Sequence, residues 1–328
     1  MATSDSPKSI AATRTLQVAK AAAPATGSAQ ITISGTGFGT RTSSFEQYQN
    51  YNDVADGTDN GQLGGTSSSA AAYLIPTVQS NLAHDGGKSL EVTYPALGNH
   101  FPKLRRLLPD SDTLYASFYF RYTGSPTSGD VGIFKIFRCG QDVYLGAPML
   151  VDTIRGGDGL QTSMDASVFL EDAANPTVGN RLNRKHANQW NFLEYYFRLS
   201  TPNVADGEVV GRCNGEEVFS NRAMVTRQLA ASKINSFINM LDGRDRDAYE
   251  MTVYQSLEYA SHSRARVIIT DSAVYANSTK WEPQPIESWA DNSIVVTKEQ
   301  GALASGTNYI YAWDEDDNMV VNADPVTL

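Results

Sequence analysis

Short runs rich in Val, Ile, Tyr and Phe, separated by clusters of turn residues and never joined into a helical period, constrain this chain more than any other feature. The runs are Ile31 to Ser34, Ser89 to Tyr94, Leu114 to Tyr122, Ile133 to Arg138, Phe192 to Leu199, Ile234 to Met240, Glu250 to Tyr259, Arg266 to Thr270, Ile294 to Thr297 and Tyr309 to Trp313. Turn signals fall between them at Gly124 to Gly129, Arg155 to Gly159, Asp206-Gly207, Asn214-Gly215 and Asp242-Gly243. Asn214-Gly215, between Val209-Val210 and Val218-Phe219, is the clearest hairpin, because both turn positions need a positive φ that Asn and Gly accept at low cost. The pattern predicts an all-β sandwich of jelly-roll type, with one short helix near Ala223 to Ala231. Twenty-six glycines, sixteen tyrosines and twelve phenylalanines agree with strands and tight turns.

The 328 residues exceed one average domain, and 41% hydrophobic residues suffice for a large core. A formal net charge of −10 argues against a nucleic-acid binder, which needs basic surface to displace counterions. Two cysteines cannot staple a domain of this size, and Cys139 and Cys213 are expected to be free buried thiols. No apolar run is long enough to span a membrane, and the N-terminus lacks the apolar stretch of a secretory signal, so cytosolic production is expected. Residues 1 to 29 read as a flexible basic arm: Lys8, Arg14 and Lys20 stand against the single acid Asp5, with one helical turn near Thr15 to Ala23 before the Pro24 to Gly27 linker.

Alternation assigns faces. In Leu114 to Tyr122 the residues Leu114, Ala116, Phe118, Phe120 and Tyr122 read as core, leaving Tyr115, Ser117, Tyr119 and Arg121 on the other face. Phe192 to Leu199 leaves Glu194, Tyr196 and Arg198, and Glu250 to Tyr259 leaves Glu250, Thr252, Tyr254, Ser256 and Glu258. Tyr115, Tyr119, Arg121, Glu194, Tyr196, Arg198 and Tyr254 could therefore line a groove whose rings and hydrogen-bonding groups suit a sugar chain; a solvated or partner-covered sheet face is the plainer alternative.

The two ends carry the most specific pattern. Gln30-Ile-Thr-Ile-Ser-Gly-Thr-Gly-Phe-Gly-Thr40 resembles the opening strand and G-x-G-F-G turn of TIG (Ig-like) domains, and the continuation such domains show appears far downstream as Ile286-Glu-Ser-Trp-Ala-Asp-Asn-Ser-Ile-Val-Val-Thr297. The resemblance implies an Ig-like domain formed by residues 30–40 and 281–328, split by a jelly roll at 41–280. Within the insert, Asn188-Gln-Trp-Asn-Phe-Leu-Glu-Tyr-Tyr-Phe-Arg-Leu-Ser-Thr201 followed by Arg212-Cys-Asn-Gly-Glu216 resembles the W-x-x-x-E strand and N-G hairpin of concanavalin-A-like (laminin-G or polysaccharide-lyase-type) sandwiches, and Arg264 to Asp271 is similar to their closing strand. Such proteins include carbohydrate-binding modules, alginate-type lyases and surface proteins of bacteria and phages, so the fold does not select the function.

A polysaccharide lyase needs a group to neutralise the uronate carboxylate and a Tyr or His to move the C5 proton. Tyr119, Arg121, Tyr196, Arg198 and His186 supply those residue types. The alginate lyases of this fold carry a Q-I/V-H strand and a Y-F-K-x-G-x-Y strand; here Phe134-Lys-Ile-Phe-Arg138 has no following His, and Tyr196-Phe-Arg-Leu-Ser200 lacks the Lys and second Tyr. The E-x-D-x-x-E strand of glycoside hydrolases is also missing, as are H-E-x-x-H, P-loop, G-x-S-x-G and dinucleotide motifs. His84, His100, His186 and His262 are scattered. Asp56, Asp59 and Asn60, or Asp242, Asp245 and Asp247, could offer oxygens to calcium, although turn formation explains both groups; no cofactor is expected.

The favoured expectation from these features is a non-enzymatic bacteriophage virion surface protein, a capsid decoration or tail component assembled in the host cytoplasm. Its arm (Lys8, Arg14, Lys20) and Ig-like domain would dock on capsid or tail proteins, with the jelly roll presented outward and a homo-oligomer, plausibly a trimer, as the assembled form. The alternative is a bacterial carbohydrate-binding protein or a polysaccharide lyase acting by β-elimination on uronate polymers, outside the cell or at its surface.

Overall fold

A computed structural model describes residues 17–20, 30–58, 76–94, 104–123, 133–140, 149–155, 163–169, 177–178, 188–239, 243–244 and 251–328. Within them the chain is β throughout apart from one 3-10 turn, Tyr275–Asn277.

Two antiparallel sheets make a jelly-roll sandwich. The eight-stranded sheet runs Glu216–Met224, Gly207–Cys213, Asn191–Arg198, Thr113–Tyr122, Met251–Ser261, Ser89–Tyr94, Thr77–Gln79, with Glu46–Gln49 also paired to Met251–Ser261. The seven-stranded sheet runs Thr177–Val178, Ser163–Phe169, Met149–Arg155, Ile133–Gly140, Ile234–Asn239, Leu104–Ser111, with Gly243–Arg244 beside Ile133–Gly140. The alternation of the long strands decides what lies between the sheets. Leu114, Ala116, Phe118, Phe120 and Tyr122 join Leu193, Tyr195 and Phe197, and from the opposite sheet Phe137, Cys139 and Phe237 meet them. The Phe137 and Tyr195 rings stack with centroids 4.1 Å apart. Each such aromatic side chain contributes about 1.5–3 kcal/mol by leaving water. Cys139 and Cys213 are both buried, and neither is in a disulfide. The hairpin at Asn214-Gly215 forms with φ of 51° and 79°, the left-handed pair its sequence demands.

The two ends of the chain build a smaller pair of sheets. Gln30–Ser34 pairs antiparallel with Ser293–Thr297, with Ile31 opposite Val296 and Ile33 opposite Ile294. Ile286–Ala290 flanks that pair on one side and Gln17–Lys20 on the other. The facing sheet runs Trp281–Pro283, Arg266–Thr270, Thr307–Trp313, Met319–Thr327. Ile31, Ile33, Phe38, Val267, Ile269, Ile294, Val296 and Ile310 fill the space between. Gly37 and Gly39 take φ of 73° and 74°, which turns the Phe38 ring inward to 1% exposure. The indole N–H of Trp289 donates to the Phe38 carbonyl at 3.1 Å, tying the two distant segments together. A Cβ at Gly35 would stand 2.5 Å from Cζ of Phe38. Gly35→Ala is therefore expected to destabilise the protein by about 1–3 kcal/mol through overpacking, read as a lower denaturation midpoint.

Three expectations change. No helix forms at Ala223 to Ala231: the strand Glu216–Met224 runs into turns pinned by Ser200, whose hydroxyl accepts from the Thr226 and Arg227 amides at 3.1 Å each. Gln17–Lys20, read as part of a helical turn, is an edge strand, with Lys20 opposite Ile31; Lys8 and Arg14 lie outside the described residues. The alternation of Met251–Ser261 breaks at a β-bulge between Ser256 and Glu258. The extra residue Leu257 has φ 54° and is fully buried. Beyond it the faces exchange, so Glu258 turns into the jelly-roll core side, where it accepts from the Gln255 amide at 2.9 Å, while Tyr259 moves to the outer face.

Candidate functional site

The Tyr/Arg/Glu face exists on the eight-stranded sheet, and most of it is covered by the smaller sandwich. Tyr119, Phe192 and Leu257 pack against Ile268, Trp281, Tyr311 and Trp313. Tyr115, Glu194 and Tyr196 are 1%, 1% and 5% exposed, closed to a sugar chain. Their polar atoms are engaged by the covering layer. Glu194 accepts from the Tyr115 hydroxyl at 2.8 Å and the Tyr275 hydroxyl at 3.0 Å, and lies 3.4 Å from Nε of Arg266. Arg266 also reaches Asp317 at 2.9 Å, and its guanidinium lies 4.3 Å from the centre of the Trp313 ring. The Tyr196 ring is covered by Arg264, 4.3 Å from its centre. Arg198, half-exposed, pairs with Glu208 at 3.6 Å.

This burial also removes the tyrosines from proton transfer. Burial, reinforced by Glu194, pushes the Tyr115 phenol well above its ordinary value, and burial with Glu282 does the same to Tyr119. Burial raises Tyr196 to about 12 against the opposing pull of Arg264. Such phenols do not supply a phenolate base. The Tyr119 hydroxyl is in any case spent, donating to the Trp281 carbonyl at 3.0 Å and accepting from the Trp281 amide at 2.7 Å. The expected catalytic group Tyr119, Arg121, Tyr196 and Arg198 is therefore not assembled into a site, and His186 lies outside the described residues.

A relay-like chain appears where the sequence showed only a scattered histidine. His84 Nδ1 is 2.7 Å from Ser256 Oγ, and Nε2 is 2.9 Å from Glu282 Oε1. The imidazole stacks on Tyr119 with centroids 4.0 Å apart. Ser256 and Glu282 are wholly buried and the His84 side chain is 3% exposed, so the serine is no nucleophile for a substrate from solution. The chain bolts the jelly roll to the smaller sandwich. For calcium, Asp56 is taken up by Ser80 and by Lys88 at 3.3 Å, while Asp59, Asn60, Asp242, Asp245 and Asp247 lie outside the described residues. Among the described residues no cluster of His, Cys, Asp or Glu could hold a metal ion.

The seven-stranded sheet carries the other large face. Phe237 and Cys139, opposite one another, point into the core, and Arg106 stands in the same row. The row one residue along is Arg105, Ile238 and Arg138, with Ile238 opposite both arginines. Leu107, two residues from Arg105, is 56% exposed. Arg105 and Arg138 thus stand in register on the strands either side of Ile234–Asn239. Arg138 has no following His in sequence, and its register with Arg105 across Ile234–Asn239 is not visible in one dimension.

No family model matches the chain, and no curated protein matches it in sequence. Solved structures do share its fold. A double mutant of alginate lyase Aly36B in complex with an alginate trisaccharide superposes with a TM-score of 0.52 at 14% identity, over 66% of this chain and 97% of that one. Alginate lyase Aly36B itself gives 0.51 at 14% identity, over 66% and 96%. A second complex, with an alginate tetrasaccharide, gives 0.50 at 14% identity, over 66% and 96%. The jelly-roll fold is thus that of alginate-lyase structures. This overturns the virion expectation with its capsid or tail partners: the solved structures that share the fold here are alginate lyases, not virion proteins. No helix among the described residues is long and apolar enough to cross a membrane.

Proposed function

We propose that this protein is a polysaccharide lyase that binds a uronate polymer along the outer face of its seven-stranded sheet and cleaves it by β-elimination. The observation that carries the reading is the jelly-roll fold shared with a lyase that holds an alginate trisaccharide, with Arg105, Ile238 and Arg138 in register on three neighbouring strands. In β-elimination a base removes the C5 proton, the C4–O bond breaks, a C4=C5 double bond forms, and the departing oxygen is protonated. Negative charge grows on the carboxylate attached to C5, and a guanidinium against it stabilises the transition state more than the ground state. Arg105 and Arg138 take that role. His186, the sequence-derived candidate for proton transfer, belongs to the segment before Asn188 and is retained as the base to test.

The smaller sandwich is proposed as a discontinuous Ig-like domain of residues 30–40 and 281–328 around the insert 41–280. The pairing of Gln30–Ser34 with Ser293–Thr297 and their common core support it. Its role is to cap the eight-stranded sheet, leaving the other sheet for polymer. A polymeric substrate does not cross a membrane, so the place of action is outside the cell or at its surface.

Native gel electrophoresis through alginate or glucuronan tests the binding half of the reading. Retardation relative to a gel with a neutral glucan is expected, and weaker retardation at high salt. Equal mobility in all gels would contradict it.

A further inference from the structure

Beyond the polymer face just proposed, and resting on that reading for the identity of its ligand, one corner of the eight-stranded sheet escapes the smaller sandwich. Asn191 pairs with Phe120, so Trp190, the residue before it, stands level with Arg121. Arg121 is opposite Tyr254, and Tyr254 is opposite Glu91. Trp190, Arg121, Tyr254 and Glu91 thus form one row across four strands on the outer face, all half-buried.

Three features of this row are unlike the rest of the sheet. First, Trp190 is held upright by neighbouring rings: its centroid lies 6.3 Å from His84, 6.4 Å from Tyr119 and 6.5 Å from Tyr254, at interplanar angles of 77°, 89° and 68°. His84 is itself fixed by Ser256 and Glu282, so the indole is backed by a rigid wall. Second, Arg121 has no hydrogen-bond or ion-pair partner among the described residues, and its Nε is buried without an acceptor. A guanidinium left with unused donors beside aromatic rings is costly unless an acceptor arrives. Third, the acid in the row is already occupied, since Glu91 accepts from the Asn81 side-chain amide at 2.6 Å. The half-buried guanidinium thus keeps a vacant donor, and the acid of its own row is already engaged. The backbones of Trp190 and Tyr254 are two strand spacings apart, about 10 Å, and their rings lean together above Arg121 to 6.5 Å between centroids, edge to face, as one aromatic platform.

We infer that this row is a second carbohydrate site, on the sheet opposite the cleavage face, which grips a carboxylated sugar chain by stacking on Trp190 and Tyr254 and by an Arg121–carboxylate hydrogen bond. It holds one part of a long polymer while another part lies on the arginine row of the seven-stranded sheet. Two linked contacts on one polymer raise the effective concentration of the second, so retention of long chains exceeds that of short ones.

The test is calorimetric titration of the full chain with an alginate oligosaccharide, for the wild type, the Arg121→Gln variant, the Arg105→Ala/Arg138→Ala variant, and the latter with Arg121→Gln or Trp190→Ala added. The expected result is that Arg105→Ala/Arg138→Ala still binds one oligosaccharide, and that adding Arg121→Gln weakens this binding about tenfold or more, the loss of one charge-assisted hydrogen bond. Quenching of Trp190 emission on binding, absent in Trp190→Ala, gives a second readout on protein whose thermal unfolding is unchanged. If the wild type binds and Arg105→Ala/Arg138→Ala binds nothing, the second site is refuted while the proposed function stands. If binding is untouched by Arg105→Ala/Arg138→Ala and lost with Arg121→Gln alone, the second site stands and the arginine-row reading falls. Equal affinity for a neutral glucan oligosaccharide would overturn the acidic ligand.

Discussion

Asp317→Asn and Asp317→Ala should each lower the stability of the protein by about 3–5 kcal/mol, the cost of taking the shared carboxylate out of a buried cluster of arginines. Asp317 accepts from Arg212, from Arg264 at 2.9 Å and from Arg266 at 2.9 Å. The Arg266 and Arg264 side chains are only 2% and 5% exposed, so water cannot replace the carboxylate. Asp317 also sits at φ 61°, where Ala is strained and Asn is tolerated. The pair of variants separates the two effects. If charge dominates, Asn loses nearly as much as Ala; if strain dominates, Asn stays near the wild type. Chemical denaturation at neutral pH decides between them.

The same carboxylate gives an acid limb. Burial pushes the Asp317 carboxyl up, but Arg266, Arg212 and Arg264 together outweigh it and hold the group well below its ordinary value of 3.8. A depressed folded value means that the stabilisation is fully present above about pH 4 and is lost as pH falls towards the folded value. Wild type should therefore lose stability on acidification below about pH 4 more steeply than Asp317→Asn, whose side chain does not titrate. Parallel curves for the two proteins would show that the arginine cluster is held by other anions.

Arg105→Ala/Arg138→Ala should lower the rate of polymer cleavage about a hundredfold or more, since each guanidinium–carboxylate contact is worth about 1.5–3 kcal/mol and the charge on the carboxylate grows in the transition state. The core-facing row of the same strands, Phe237 and Cys139, is untouched by the change. Thermal stability should accordingly move by no more than about 0.5 kcal/mol, the usual range for surface substitutions. That combination, large in rate and small in stability, distinguishes a substrate contact from a packing role.

Much of this architecture is written locally. Strand alternation assigned Leu114, Ala116, Phe118, Phe120 and Tyr122 to the core, where they lie, because a residue's face depends only on its parity within a regular strand. Asn214-Gly215 fixed its hairpin for a similarly local reason. The candidate site was less legible. Parity fails where a bulge intervenes, and Leu257, an ordinary core residue at φ 54°, carries no warning of one. The fate of Tyr115, Tyr119, Glu194 and Tyr196 turned on which layer lies over them, and that layer comes from residues 264–317, far along the chain. In sequence Trp190 marks only the strand it introduces, while its neighbours Arg121 and Tyr254 come from two other strands. The residue after Arg138 says nothing of Arg105, which shares its register only through Ile238 on the strand between them.

The cleavage claim is tested most directly by incubating the full chain with alginate and with glucuronan and following the absorbance of the unsaturated uronate that β-elimination leaves at the new chain end. The account predicts steady product formation on at least one of these polymers by the wild type and its near abolition in Arg105→Ala/Arg138→Ala. Absence of product from both polymers with folded wild-type protein, or undiminished product from that variant, would contradict it.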